Sequence, residues 1–373
     1  MRASAKLSMI RALRLYDIPA LTRLLEEPLS GSLQGLDQAS GLSASSLVTA
    51  LLPRCLAPTP VRRRIFVDMR DMRPRGFLHL VRRPGGHRWE VIHLCHDGSG
   101  DVSQECAALL EFGCSVAAAE GATKITTRVR EDDDRQTIFN DAGFRKYAQE
   151  TVLVLSGPPT LSERGPVPAT RPFVAGDQWR LHRIYTATTP QGVQFVENLT
   201  SDEHLFPLRG SILSKLMGMR VTMEVIEAGP DLVAAIALVV HRPHHVAELH
   251  IKMKPEATVE VVRLLQRRLH QLGKEEVRNV VTTVRHYELD TLRVVRQLGF
   301  TPGYSRSILV KHTAAYVSEP RPLRAMDHAT PALSVVHNPR PVLKPVECRD
   351  SRDLSRSHAG DHVVSHVNAS PLV

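Results

Sequence analysis

The feature that most constrains this chain is that it repeats itself, since a repeat fixes how many similar units the fold must contain. The opening segments IRALRLYDIPALTRLL from Ile10 and WRLHRIYTATTPQGVQFV from Trp179 share two arginines, an aliphatic residue and a tyrosine: Arg11, Arg14, Leu15, Tyr16, then Arg180, Arg183, Ile184, Tyr185. The closing segments TTRVREDDDRQTIFNDAGF from Thr126 and TTVRHYELDTLRVVRQLGF from Thr282 match with no gap from the paired threonines to the Gly-Phe pair.

Each opening predicts a short strand running into a helix, with Asp17 or Thr189 as cap and Pro19 or Pro190 in the first turn. Apolar residues then recur at helical spacing, at Leu21, Leu24 and Leu25 and at Val193 and Val196. A hairpin follows in each copy, turning at Pro84-Gly85-Gly86 and at Arg242-Pro243, and its last strand carries a histidine between aliphatics, His93 or His250. Long helices are predicted from about Ser103 to Glu120 and Thr258 to Leu272, ending at Gly121 and Gly273. Each closing segment predicts a strand (Lys124 to Val129; Val277 to Val284), a helix stopped by Gly143 or Gly299, and a last strand (Glu150 to Leu155; Ser305 to Lys311). The acidic run Glu131 to Asp134 precedes a helix, where it favours the helix dipole.

The expected architecture is α/β of mixed α+β type: two domains, 9–157 and 177–313, each a mixed, mostly antiparallel sheet flanked by helices. Residues 158–176 form a proline-rich linker, and 314–373, proline-rich and without period, a disordered tail. With 373 residues the chain is long enough for two cores. Its 42% hydrophobic and 23% charged residues are those of a soluble globular protein. The longest apolar run, Leu232 to Val240, is too short for a bilayer, and Met1 to Leu15 has no secretory signal pattern, so a cytoplasmic location is expected. Five cysteines (Cys55, Cys95, Cys106, Cys114, Cys348) with no CxxC pair point to reduced thiols rather than a disulfide framework or zinc ribbon. The formal charge of +9 suits a polyanionic cofactor; with only 5% aromatics and no basic stripe interleaved with them, nucleic acid is not the expected partner.

The order of elements resembles the GNAT superfamily of acyl-coenzyme A-dependent N-acetyltransferases, most closely in IRALRLYDIPALTRLLEE and VRQLGFTPGYSRSILVKH. That resemblance implies acetyl-CoA as cosubstrate and an amine-bearing acceptor. It also implies a pyrophosphate held by backbone N–H groups between the fourth strand and the next helix, in a pattern like Pro-x-x-Arg-x-x-Gly-x-Gly/Ala. The first copy offers Gly98, Ser99 and Gly100, flanked by Asp97 and Asp101; the second offers Lys254, Pro255 and Thr258, with Glu260 among them.

Where many relatives place a tyrosine to protonate the departing thiolate, this chain has Phe139 and Val295, leaving Tyr304 and Tyr147 as the nearby phenols. Candidate bases are Glu248 with His250, two apart and so on one strand face, and Glu90 or His93 in the first copy. The cluster His241, His244, His245 and His250 straddles a turn without metal-ligand spacing, so no metal site is expected. Two functions fit: transfer of an acetyl group from acetyl-CoA to an amine, or a catalytically inactive tandem binding or scaffolding protein. A monomer is expected, since two copies in one chain can satisfy a pairing that single-domain relatives make between subunits.

Overall fold

The structure, a computed structural model, describes residues 9–17, 20, 63–70, 73–83, 85–133, 136–157, 166, 168–201, 219–242, 245–275 and 277–313. The first copy comprises β1 (Met9–Ala12), β2 (Arg63–Arg70), β3 (Arg73–Arg82), β4 (Arg88–His96), α1 (Val102–Ala119), β5 (Lys124–Arg130), α2 (Gln136–Asp141) and β6 (Arg145–Ser156). The second comprises β7 (Thr170–Pro172), α3 (Gln178–Thr188), α4 (Gln191–Glu197), β8 (Met219–Ala228), β9 (Asp231–His241), β10 (Val246–Met253), α5 (Thr258–Gly273), β11 (Asn279–Arg285), α6 (Leu289–Gln297) and β12 (Thr301–His312). Pro19, Leu21, Leu24, Leu25, Pro84, Asp134, Pro243, His244, Cys55, Cys348 and residues 314–373 lie outside the described residues.

The mixed, mostly antiparallel sheet flanked by helices is as expected, but the two copies share it. One sheet of twelve strands runs β1-β2-β3-β4-β5-β12-β6-β11-β10-β9-β8-β7, and its parallel pairs are β4/β5 and β10/β11. The last strands are exchanged: β12 lies between β5 and β6, and β6 lies between β12 and β11. Glu150 opposes Arg306 in this central pair, and each is the sixth residue of a strand of 12, so a pseudo-twofold axis passes between them.

Two apolar cores cover one face of the sheet. In the first copy α1 and α2 pack Leu109, Leu110 and Phe139 against β3, β4 and β5; in the second α5 and α6 pack Val261, Leu265 and Val294 against β9, β10 and β11. The exchange reaches both cores, because Leu309 of β12 is buried in the first and Leu153 of β6 in the second. On the opposite face, α3 packs Leu181 and Ile184 on Ala235 and Ala237. Strand β9 is an apolar run buried along nearly its whole length, the pattern of a strand covered on both sides. Helix α1 is started by Asp101, whose side chain accepts from the Gln104 N–H at 3.1 Å. It approaches β3 so closely at Gly113 that an added Cβ would press on Leu78 and lie 2.9 Å from Leu80 Cδ1. Gly113→Ala is expected to lower stability by about 1–3 kcal/mol, read as a reduced urea midpoint with unchanged slope.

Three details of the repeat differ from the sequence reading. The copies begin at β1 and β7: Arg11 grips Asp17 at 2.7 and 2.8 Å, and Arg171 grips Asp177 at 2.7 Å on both oxygens. The same carboxylates accept the backbone N–H of Arg14 and of Val174. The segment from Trp179 to Thr188, read as a strand entering a helix, is therefore helix throughout, and the strand lies at 170–172, within the stretch read as linker. Thr189 is the C-cap of α3, and Pro190 rather than Thr189 is the N-cap of α4. The third detail is the ungapped match, which carries a one-residue slip. Thr127 and Thr282 are equivalent, since their hydroxyls donate to the carbonyls of Val91 and Leu249 at matching register, whereas the helix-ending Gly143 and Gly299 keep the ungapped offset. A slip of one turns a strand over, so burial decides it: Val129 and Val284 are both interior, and the ungapped match would have opposed Val129 to Arg285.

Candidate active site

Two forks open in the sheet. Parallel pairing of β4 with β5 stops at Val91 and Thr127, and that of β10 with β11 at Leu249 and Thr282, while both β4 and β10 continue along their other neighbour. Beyond those points the facing edges carry backbone groups without a ladder partner across the gap, an opening suited to an extended amide-bearing ligand. The forks differ in one respect. In β4 the register with β3 shifts between His79 and Leu80, so Ile92 is a bulged residue placed at the fork; β10 runs against β9 without a shift. A bulge of this kind re-aims the backbone beside it.

The loops that follow differ too. In the first copy Gly98 and Gly100 adopt φ of 79° and 88°, a region that favours glycine, just before α1. The position a Cβ of Gly98 would take has no heavy atom within 4 Å. The Gly98 and Ser99 N–H groups donate to His96 Nδ1 at 3.2 Å and Asp97 Oδ1 at 2.8 Å, acceptors that an anion would replace. The acids of this loop are offset locally: Asp97 lies 3.2 Å from Arg75, and Glu105 lies 2.7 Å from His96 and 3.7 Å from Arg70. Arg75 also donates to the carbonyl and hydroxyl of Ser99. In the second copy the loop is wound into a turn of helix. The Ala257 N–H donates to the Lys254 carbonyl, Thr258 donates through both its N–H and its hydroxyl to the Pro255 carbonyl, and Lys254 faces Glu256 at 3.8 Å.

Glu248 and His250 are brought together beside the second fork. Glu248 lies 3.1 Å from His241 Nε2 and 3.7 Å from His250 Nε2; burial pushes its carboxyl up, but the two imidazoles more than offset this and hold it at about 2. Among the described residues no group of three or more His, Cys, Asp and Glu side chains is placed to hold a metal ion. The bulge leaves His93 opposite His79, the β3 counterpart of Ala237 opposite His250, so His93 and His250 do match between copies. His93 Nδ1 lies 3.1 Å from His79 Nδ1, and burial together with His93, Arg63 and Arg83 holds His79 neutral, at about 3. Tyr304 is separate from Glu248 and His250: it stands on β12, three strands from β10, with the Arg130 guanidinium 4.8 Å from its ring. Tyr147 donates to Glu197 at 3.3 Å, and burial and Glu197 push it up to about 12. The expected loop residues fall into two places, since β4 and β10 are five strand steps apart, about 24 Å at ordinary strand spacing. Phe139 and Val295, the positions compared above with the family's tyrosine, are fully buried and belong to the two cores.

Two groups of residues escaped the sequence reading. One is the hairpin arginines Arg70, Arg73 and Arg75, whose close spacing in RDMRPRG was the available signal. The other is a row of buried charges on the face opposite the two cores. Burial raises the Glu90 carboxyl, but Arg128 and Arg83 outweigh it and hold it at about 2. Arg128 continues to Glu150 at 3.1 Å; Glu150 also meets Arg306 at 2.5 Å and Arg285 at 3.4 Å; Arg285 reaches Glu197 at 3.0 Å, which accepts from Tyr185 at 2.8 Å. Single charges within apolar strands, Glu150 in ETVLVL and Arg306 in SRSILV, were the trace of this row.

The three cysteines among the described residues, Cys95, Cys106 and Cys114, are unbridged and buried, and burial pushes the Cys114 thiol up to about 11. Among the described residues no helix is long and apolar enough to cross a membrane. No family model and no curated protein matches the sequence. Among solved structures the chain is similar to a tandem GNAT protein from the clavulanic acid biosynthesis pathway, with 15% identity, a TM-score of 0.55, and 82% of this chain and 98% of that chain covered. It is similar to a GCN5-related N-acetyltransferase from Sphaerobacter thermophilus at 14% identity, TM-score 0.55, with 82% and 95% covered. At these identities the likeness is one of fold: the chain has the tandem GNAT fold, two copies built into one sheet.

Proposed function

We propose that the chain is an acyltransferase that passes an acetyl group from acetyl-CoA to an amine, and that its first copy holds the cofactor. The observation that carries this reading is the bulge at Ile92, set at the fork and followed by the open Gly98-Ser99-Gly100 loop at the start of α1. Backbone donors at such a bulge can polarise a thioester carbonyl, and a helix start with positive-φ glycines suits a pyrophosphate. Arg75 supplies the cation that the loop itself lacks. The amine nitrogen attacks the thioester carbon, the C–N bond forms, the C–S bond breaks, and the thiolate takes up a proton. His93, beyond the bulge, is the imidazole available to take the amine's proton; its partner His79 is neutral.

In the second copy, Glu248 and His250 are the counterparts of Glu90 and His93. Without bulge or glycine, and with Lys254, Pro255 and Thr258 wound into helix, this copy is read as the supporting or ligand-binding half. The test is calorimetric titration and thermal stabilisation by acetyl-CoA. Wild type is expected to bind. Gly98→Val, which fills the open space, is expected to weaken binding at least about tenfold, a loss of about 1.4 kcal/mol. Gly121→Val, with φ of 88° at the other end of α1 and equally open, controls for backbone strain and should bind as wild type. No stabilisation at millimolar acetyl-CoA defeats the reading.

A further inference from the structure

The two long helices sit differently on their sheets. The buried positions Cys106, Leu109, Leu110, Cys114 and Ala117 of α1 recur in α5 at one constant spacing as Val261, Leu264, Leu265, Leu269 and Leu272, and that spacing sets Arg268 in the place of Gly113. Strand register extends the correspondence. Leu78 and Ile236 oppose Leu94 and Ile251, the residues after His93 and His250, and are themselves opposed by Phe66 and Glu224. Two residues back along the same strands, Arg64 corresponds to Thr222.

In the first copy this region is filled. Gly113 lets α1 lie close on Leu78 and Leu80, Phe66 packs edge-on against Phe112 with ring centroids 5.2 Å apart, and Arg64 spans to Glu120 at 2.7 Å. In the second copy each filler is replaced. Arg268 in the place of Gly113 holds α5 farther from β8 and β9 than α1 lies from β2 and β3. Glu224 in the place of Phe66 is drawn to Arg268, whose Nε it meets at 2.6 Å. Thr222 is too short to span as Arg64 does, and Glu275 is met by Arg220 instead. The result is a cavity of about 210 Å³, floored by Ile236, Leu238, Leu249, Leu265, Leu269 and Leu272 and edged by Thr222 and the two ion pairs.

The cavity's charges are matched, Arg268 with Glu224 and Arg220 with Glu275, and Arg268 Nη1 donates to Gln271 at 2.7 Å. A charged ligand would lose its water there without gaining a free countercharge. The aliphatic floor favours an apolar body, and the volume sets its size, since an apolar cavity of about 150 Å³ holds one benzene ring. At the edge, the Thr222 hydroxyl can donate to or accept from a ligand hydroxyl.

We infer that the cavity between α5 and β8 is a binding site for a small uncharged molecule, of one ring's size, that carries a hydroxyl group. It does not rest on acyl transfer, because the cavity lies in the second copy, away from the Gly98–Gly100 loop.

The probes are phenol and cyclohexanol, with benzoate and benzylamine as charged counterparts of similar size, added to the full chain without acetyl-CoA. At least one uncharged probe is expected to raise the melting temperature by several degrees in a saturable way, and the charged ones to half-saturate at concentrations at least about tenfold higher. Thr222→Arg restores the residue of the first copy facing Glu275 and is expected to weaken the uncharged probe about tenfold by occupying the edge of the cavity. Thr222→Gln, shorter and uncharged, carries the same test with a smaller loss should the arginine variant not fold. Absence of a saturable rise with both phenol and cyclohexanol overturns the site. So does a rise identical in wild type and the folded variant, or one equal for charged and uncharged probes.

Discussion

Expressed apart, residues 1–157 and 158–313 are each expected to fail to form a stable monomer, and to recover a cooperative fold when mixed or co-expressed. In the whole chain β12 fills the space between β5 and β6, so the first fragment lacks the strand that both of its own need. It also lacks Leu309, a fully buried member of its core, and the second fragment lacks Leu153, the residue at the matching place in the other. Loss of one such leucine alone costs about 2–5 kcal/mol, comparable with much of a domain's stability. The open β5 edge adds a row of unpaired backbone groups prone to associate with other chains. Size-exclusion chromatography with urea unfolding checks this. A 1–157 fragment that runs as a monomer and unfolds in one cooperative step would contradict it.

Glu150→Ala is expected to cost about 3–5 kcal/mol, the range for removing one partner of a buried ion pair. Glu150 is 2% exposed and meets three guanidiniums; Arg128 and Arg285 keep Glu90 and Glu197, but its loss leaves the buried Arg306 without an ion-pair partner among the described residues. Burial pushes the Glu150 carboxyl up, but Arg128, Arg306 and Arg285 outweigh that and leave it lowered. A group lowered on folding stabilises fully above its unfolded value, about 4.3 for glutamate, and loses that contribution as pH falls through its folded value. Wild type and Glu150→Ala should therefore differ most at neutral pH and converge on acidification. Glu90 and Glu248, each held at about 2, should reinforce the acid sensitivity of wild type between roughly pH 4 and pH 2. A constant gap between the two unfolding curves from pH 7 to pH 3 would count against the buried-charge account.

The Glu150–Arg306 pair also bears on why both copies lie in one chain. Positions across a true twofold axis carry the same residue, so two separate identical chains would oppose carboxylate to carboxylate or guanidinium to guanidinium there, at close range and out of water. Within one chain the equivalent positions are free to differ. Here they have become complementary, which ties the exchanged strands together at the centre of the sheet.

Much of the architecture was determined by the sequence itself. The repeat, the long helices α1 and α5, the hairpins before β4 and β10, the glycine stops at Gly143 and Gly299 and the matching of His93 with His250 all follow from local periodicity and local backbone preference, which act over a few residues and so leave a readable trace. Only the tertiary structure decided which strand lies beside which. Val310 pairs with Thr126 and Leu153 with Thr282, contacts between segments far apart in the chain, and an apolar strand carries nothing that names its neighbour. The meeting of Arg128, Arg285 and Arg306 at Glu150 and the lending of Leu309 and Leu153 to the opposite cores are consequences of that pairing. They rest on which side chains end up on one face of a shared sheet, a question that strand exchange settles and local pattern does not.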